Sequence, residues 1–380
     1  MIADETLIIK PKVKIKVFGI GGGGNSVLVR MGQHNELDVE LIAINTDAKQ
    51  LQLVEQSGVR CIQIGEALTR GRGTGGNTQL GEQAAKTEED KIKAALNGAD
   101  LVFITAGMGG GTGTGAAPVV ARLAKEMGLL SVGVVTMPFA FEGNRKKKTA
   151  MEGITKMQSQ MDALISVEND NLLKLPENRR MTMVKAFACA DGILKQAINC
   201  VAELILTTGV INVDFADVTT IFRQSDSSDA LLGIGRSNRS AIDAVKIAAE
   251  SPLIDKGLKG ARGVILNLTG DATLSLYDVD EATHYIVEHT DPEVNIILGT
   301  VVDDGMNGSV QATIIATDFT DSVVLKAPTV TVPESRVNKE TFQLDTPAFM
   351  DKSVPQTGFQ APKAFAIPAF KLTNDTDEKK

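Results

Sequence analysis

Tryptophan is absent from the 380 residues, and the few Phe and Tyr bring aromatic content to only 4%. Single-stranded nucleic acid is held by stacking bases on aromatic side chains, so that platform is missing. The basic face that a phosphate backbone demands is missing too, since the net charge is −8. No nucleic acid is expected as a partner. Cysteine is scarce: Cys61, Cys189 and Cys200 stand far apart without a C-x-x-C, which indicates neither a disulfide framework nor a zinc site. Three histidines without H-E-x-x-H spacing offer no metal cluster, so no metal ligands are assigned. No apolar run reaches membrane-spanning length, and Met1–Lys12 is too polar for a signal peptide. A cytoplasmic protein without direct membrane insertion is expected.

Hydrophobic content of 43% and charged content of 23% are those of an ordinary globular chain, long enough for two domains. Apolar runs at Val13–Gly19, Glu40–Asn45, Leu101–Thr105 and Ser131–Thr136 alternate with helix-length segments, the pattern of buried parallel strands under helices. A long helix is predicted over Thr182–Thr207, and further strands at Gly263–Leu268, Asn295–Val301 and Gln311–Thr317. The fold class is therefore α/β: a Rossmann-like domain with a parallel sheet (13–181) after a short extension (1–12), a central helix (182–208), and a smaller α+β domain (209–320). Residues 321–380 hold six of the twelve prolines but one of the 36 glycines, and read as a disordered tail. The tail repeats Pro-Ala-Phe, at Pro347–Phe349 and at Pro368–Phe370.

The most informative stretch is Gly109-Gly110-Gly111-Thr112-Gly113-Thr114-Gly115, set between the apolar Leu101–Ile104 and the helix-like Ala116–Met127. Five glycines let the backbone turn several N–H groups toward one point, and the helix behind adds its positive dipole end. A phosphate group fits such a nest. A second glycine loop, Gly19-Ile20-Gly21-Gly22-Gly23-Gly24-Asn25-Ser26, follows the first strand and opens a helix. With Asp47 ending the next strand, it satisfies the dinucleotide fingerprint G-x-G-x-x-G. An NAD-dependent dehydrogenase is the competing enzyme class. That reading leaves the second nest without a role, whereas two nests at one switch point suit a triphosphate. No G-x-x-x-x-G-K-[ST] occurs, so backbone amides, hydroxyls and a metal ion must replace a P-loop lysine.

On the long helix, Met183, Phe187, Leu194, Ile198, Val201 and Ile205 step by three or four and predict a core-facing stripe. Asp191 falls on that stripe, where a carboxylate needs donors. Guanine offers two adjacent N–H donors, and Phe187 one turn earlier can stack on its ring. An internal salt bridge to Arg or Lys satisfies the spacing equally well. Beyond the helix, Asn212, Asp214 and Asp217 precede a second helical pattern. Asp214 can cap that helix, or the two carboxylates with Asn212 can polarise a water for attack on phosphate. Sequence chemistry leaves both open.

Together these residues resemble the tubulin/FtsZ family of GTPases, in particular its bacterial cell-division members. Gly109–Gly115 is similar to the tubulin signature loop, flanked by Ala106-Gly107-Met108 and Ala116-Ala117-Pro118. Asn45-Thr46-Asp47-Ala48, Phe141-Glu142-Gly143, Asn169-Asp170 and Asn212–Val218 match in order over roughly 13–320. The resemblance implies a GTPase, using GTP/GDP and Mg²⁺, that assembles head-to-tail with itself into protofilaments and the cytokinetic ring at midcell. It implies that Gly22, Gly23, Gly24, Asn25 and Ser26 form one phosphate loop and Gly111, Thr112 and Gly113 the other. Glu142 would contact the ribose, and Asn169, Phe187 and Asp191 would hold guanine. Asn212, Asp214 and Asp217 would serve the nucleotide of the next subunit. The arginine expected four residues after Glu142 is Lys146, with Arg145 beside it, and either is a candidate to replace it. The ending Ile367–Phe370 resembles a docking peptide for division proteins and membrane tethers, with Ala366 where an acid is usual. A tubulin-like plasmid-segregation filament is the nearest rival within the same architecture.

Overall fold

The computed structural model describes residues 12–33, 37–174, 181–207, 213–225, 227–251, 253 and 257–320. Six strands are mutually parallel: β1 (Ile15–Ile20), β2 (Glu40–Asn45), β3 (Arg60–Gln63), β4 (Leu101–Gly107), β5 (Leu130–Met137) and β6 (Ala163–Glu168). Four more complete the sheet: β7 (Asp229–Ser237), β8 (Ala261–Gly270), β9 (Asn295–Val302) and β10 (Val310–Phe319). The strand order is β3-β2-β1-β4-β5-β6-β7-β10-β8-β9, with β10 antiparallel to both its neighbours. The α/β reading of the sequence holds. Three strands were not anticipated: β3 is four residues long, β6 reads Ala-Leu-Ile-Ser-Val-Glu without turn signals, and β7 carries two glycines.

Alternation along each strand sends neighbouring side chains to opposite faces. Val17 and Phe103 join a core cluster with Leu28, while Phe18 and Ile104 join the cluster on the other side with Val120 and Leu123. Burial on both faces is why these strands read as continuous apolar runs. The helices covering the first half are α1 (Gly21–Gly32), α2 (Ala48–Glu55), α3 (Glu66–Thr69), α4 (Thr78–Lys86), α5 (Glu89–Leu96), α6 (Gly111–Glu126), α7 (Asn144–Gln158), α8 (Asn169–Leu172) and the 24-residue α9 (Met183–Leu206). After these come α10 (Phe215–Arg223), α11 (Ala241–Ala249) and α12 (Leu276–His289), the last two sharing a third cluster with β8 and β10. Among the described residues, no helix is long and apolar enough to cross a membrane.

The stripe on α9 differs from expectation at its start. Leu194, Ile198 and Val201 are buried, but Met183 is 63% and Phe187 41% exposed. The first turns of the helix run past the apolar cluster, so the same periodicity that buries the middle of α9 presents Met183 and Phe187 at the surface.

The two halves of the sheet meet narrowly, since β6 and β7 share only the register pairs Leu164↔Asp229 and Ile165↔Ala230. Two consecutive residues at the end of α10 reach across. Arg223 Nε donates to Asp162 Oδ1 at 3.2 Å in the first half. Gln224 Nε2 donates to Asp318 Oδ2 at 3.3 Å in the second. Asp318 is buried in a left-handed conformation (φ 56) and also accepts from Arg262 Nη2 at 2.8 Å.

Helix α6 begins at Gly111, five residues before the expected start. Glycine disfavours helix in isolation, but here its missing Cβ is what the packing needs. A Cβ on Gly115 would lie 2.1 Å from Thr78 O and 2.7 Å from Glu82 N, both backbone atoms of α4. Gly115→Ala is therefore expected to lower unfolding stability by about 1–3 kcal/mol through overpacking. Gly110→Ala, where nothing lies within 4 Å and φ is −84°, should change it by less than about 0.5 kcal/mol. Denaturant unfolding of the two variants checks the contrast.

Candidate functional site

Both glycine loops lie at the carboxyl ends of neighbouring strands, β1 and β4, and touch through their backbones. A Cβ on Gly21 (φ 69) would sit 2.8 Å from Gly113 N, and one on Gly23 would sit 3.0 Å from Gly107 Cα. Gly24 is closed off by Thr105 O, 2.3 Å from its absent Cβ, and Gly111 by Thr74 Oγ1. Most of these glycines therefore exist for close approach. Gly110 is open, and Gly22 meets only the Gln50 side chain, so these two expose backbone to a ligand.

The N-termini of α1 and α6 adjoin, and neither has a side-chain cap. By contrast α2 is capped by Asp47, α4 by Asn77 and α9 by Thr182. Uncapped N–H groups at two adjacent helix ends, with no carboxylate in either first turn, are suited to an anion. The donor set thus fits a polyphosphate.

Buried polar groups fix the loops. With its amide in the orientation that satisfies both ends, Asn25 donates to Gly19 O at 2.9 Å and Gly21 O at 2.8 Å, and accepts from Asn45 Nδ2 at 3.2 Å. Asn45 Nδ2 also lies 2.9 Å from Gln50 Oε1, and Asn45 Oδ1 accepts from the Thr46 and Asp47 amides. Thr46 Oγ1 bonds Thr112 Oγ1 at 2.9 Å, with Thr74 Oγ1 at 3.5 Å from the same hydroxyl. Thr114 Oγ1 accepts from Gly109 N at 2.8 Å. The Asn25 side chain is thereby spent on its own loop. Ser26 is different: it is exposed, and its hydroxyl bonds Gly22 O at 3.1 Å. Asn45 and Thr46 stand in the Asn45-Thr46-Asp47-Ala48 motif, but their bonding partners, and the part played by Thr74, emerge only in the fold.

Past the nests lies an aromatic cluster. Phe139 and Phe141 stack at 5.1 Å, and Phe187 meets them edge-on at 5.4 and 6.5 Å. Phe139 is buried while Phe141 is 59% exposed. Asn169 is buried with Oδ1 unpartnered in the structure, an acceptor left over beside this cluster's strand end. Glu142 accepts from Phe139 N at 3.0 Å and pairs with Lys146 at 3.0 Å, one turn along α7. Arg145 is exposed and makes no ion pair with a described residue. Of the two basic candidates, Arg145 is the uncommitted one.

Asp191 does form the internal salt bridge that its spacing allowed, through Oδ2 to Arg30 Nε at 2.9 Å. Burial pushes its carboxyl above the usual carboxylate range, against the opposing pull of Arg30. Only Oδ2 takes part in that bond, so the ion pair and a second donor are compatible.

Asp214 and Asp217 lie elsewhere, beyond the far end of α9. Asp214 occupies the N-cap position of α10 but its side chain caps nothing, which corrects the capping expectation. Both carboxylates are exposed. Asn212 and Ile367–Phe370 fall outside the described residues. Among the described residues no group of three or more His, Cys, Asp or Glu could hold a metal ion.

A parallel α/β sheet with two helix N-termini converging on one anion site defines a nucleotide-phosphate-binding protein without a P-loop. The family comparison is more specific. Residues 14–177 match the Tubulin/FtsZ family GTPase domain, and residues 228–320 the FtsZ family C-terminal domain. The empty FtsZ dimer of M. jannaschii is similar over 80% of this chain and 88% of its own, at 40% identity and a TM-score of 0.76. CetZ2 from Haloferax volcanii, at 21% identity, shares the fold, with a TM-score of 0.67 over 82% of this chain and 95% of its own. The chain belongs to the Tubulin/FtsZ family, whose members are GTPases that bind GTP and GDP.

The buried amide of Asn25 gives a prediction. Asn25→Ala leaves two buried loop carbonyls without their donor and should destabilise the fold by about 1–3 kcal/mol. Ser26→Ala, at the exposed neighbour, should shift it by less than about 0.5 kcal/mol. Equal unfolding midpoints for the two variants would contradict the assignment of Asn25 as a positioning residue.

Proposed function

We propose that this protein is a self-assembling GTPase that forms head-to-tail filaments and the cytokinetic ring of bacterial cell division, acting in the cytoplasm at midcell. GTP is held with Mg²⁺ between Gly22–Ser26 and Gly111–Gly113, its phosphates on the uncapped amides of α1 and α6. Mg²⁺ would be held by the bound phosphates and hydroxyls of the two loops, where it would offset phosphate charge. Asn169, Phe187 and the free oxygen of Asp191 receive guanine, and Glu142 with Arg145 or Lys146 faces the sugar.

One observation carries the assembly reading. Phe187 and Asp191 stand near the start of a 24-residue helix, and Asp214 and Asp217 follow its end. At ~1.5 Å per residue, the stretch from Asp191 to the helix end at Leu206 spans ~23 Å. Carboxylates at that distance serve a neighbour's nucleotide, where they orient and polarise the attacking water. A heterologous contact of this kind does not close on itself and gives a filament. The dimer known for the M. jannaschii relative supports self-association, and the FtsZ-type C-terminal domain favours cell division over plasmid segregation.

Two variants in one GTPase assay separate the roles. Asp214→Ala should bind GTP with unchanged affinity and lose turnover about 10²–10⁴-fold, while Asp191→Ala should lose the preference for GTP over ATP. Turnover per subunit should rise with protein concentration; a constant value down to the highest dilution would refute hydrolysis between subunits.

The same proposal assigns Ile367–Phe370 to division proteins and membrane tethers, with Ile367 and Phe370 as the apolar anchors. Phe370→Ala should abolish tether binding and leave GTPase and assembly intact. Loss on Phe349→Ala instead would move the docking segment to the upstream copy.

A further inference from the structure

Arg30 is bonded to Asp191, yet the assignment of Asp191 to guanine gives it no part. It stands in the last turn of α1, the helix whose first turn belongs to the phosphate nest. Helix α9 holds it twice. Asp191 Oδ2 accepts from Arg30 Nε at 2.9 Å, and Lys195 Nζ, one turn further along α9, donates to the Arg30 carbonyl at 3.4 Å. The guanidinium is half-exposed, while the Asp191 side chain keeps only 15% of its surface in water. A pair of this kind ordinarily does no more than clasp two helices together.

Here the charge state of the carboxyl group decides which purine it can read. An ionised Asp191 only accepts hydrogen bonds, and guanine presents two adjacent donors, N1–H and N2–H. A protonated Asp191 has one donor and one acceptor, which is the complement of adenine, whose N1 accepts and whose N6–H donates. Burial favours the protonated form, and the charge of Arg30 opposes it. A carboxylate offers about four acceptor sites, so the single bond to Arg30 leaves room for a base. We propose that Arg30 is a specificity-determining residue, whose guanidinium keeps the Asp191 carboxylate charged and aligned so that the site takes guanine and refuses adenine. The inference rests on the assignment of Asp191 to guanine, and Arg30 acts through Asp191 as a positioning residue.

The surroundings leave this task to Arg30. Of the helices and strands packed most extensively on α9, α1 has Arg30 as its only charged residue, and β5 and β9 have none. The short α8 brings Asp170, whose carboxylate accepts from the Ala140 amide. On α9 itself, Lys185 lies ~9 Å back along the axis from Asp191 and Glu203 ~18 Å forward. Lys195 is closer, but its ammonium is directed at a backbone carbonyl, a bond that survives any change of the Arg30 side chain. Without the guanidinium, the carboxyl group of Asp191 keeps its burial and loses the charge that offsets it. Its protonated form then gains ground as pH falls, and adenine gains with it.

Equilibrium binding of GDP and of ADP to the full chain, at about pH 6 and about pH 8, tests the proposal without involving hydrolysis. The parent's preference for GDP should agree within about twofold at the two pH values. Arg30→Met keeps the aliphatic stem and removes the charge. Its preference should fall about tenfold or more at the lower pH, and by less at the higher. Arg30→Lys keeps a charge where only a single bond is needed, and should stay within about threefold of the parent. A mere clasp between helices would weaken both nucleotides alike and leave their ratio unmoved, which overturns the proposal. A loss of preference equal at both pH values overturns it too, as does an Arg30→Lys protein as unselective as Arg30→Met. Asp191→Ala in the same assay separates this inference from the reading beneath it. If guanine preference survives in that variant, the base assignment fails and the role of Arg30 falls with it. If it is lost there while Arg30→Met keeps the parent ratio, the assignment stands and only the role of Arg30 is refuted.

Discussion

Backbone meets backbone at the centre of this molecule: Gly21 against Gly113, Gly23 against Gly107, Gly24 against Thr105. No side chain fits between these segments, so the ends of β1 and β4 approach more closely than ordinary packing permits. The approach brings the first turns of α1 and α6 side by side, and with them two sets of free N–H groups. A single helix N-terminus attracts one anionic group weakly. Two adjoining ones, held by packed strands, make a cradle long enough for several phosphates. The position of α4 depends on the same feature, since it rests on α6 through Gly81, Gly111 and Gly115.

Side chains named by chemistry alone divide into those that face outward and those that hold the frame. Asn25 and Thr112 have the polarity of ligands, yet the first binds loop carbonyls and the second joins Thr46 and Thr74. Such groups are fully occupied before a nucleotide arrives. Their contribution is to remove the freedom that glycine-rich segments would otherwise have, which lowers the entropy lost on binding. The uncommitted groups (Gly22, Gly110, Arg145, one oxygen of Asp191) are spread around this frame.

Seven of the ten strands, the long helix and both glycine loops were legible because each rests on a local signal: apolar runs, a 3.6-residue period, glycines between strand and helix. What stayed hidden depends on distant residues. Glycine clusters read as loop, and only the fold shows what each faces: Thr74 and Asn77 at Gly111, the ends of β1 and β4 at Gly113, and the backbone of α4 at Gly115. The period through Met183 and Phe187 does not say where the core beneath α9 ends. The partner of Asp191 lies 161 residues away at Arg30, and spacing within one helix could not choose between an arginine and a purine. The bond network of Asn45 and the Phe139–Phe141–Phe187 cluster likewise arise only when separate loops converge.

The narrow junction between β6 and β7 has a mechanical side. Within the sheet, two register pairs join the nucleotide-holding half to the half built on β8, β9 and β10, beside the side-chain bonds of Arg223, Gln224 and Gln158 and the core that both halves share under α9. A broad sheet resists twisting through many shared hydrogen bonds; here that resistance rests instead on side chains packed across the line, and α10, which bears Asp214 and Asp217 at its start, is fastened there through Val218, Ile221, Phe222 and Arg223.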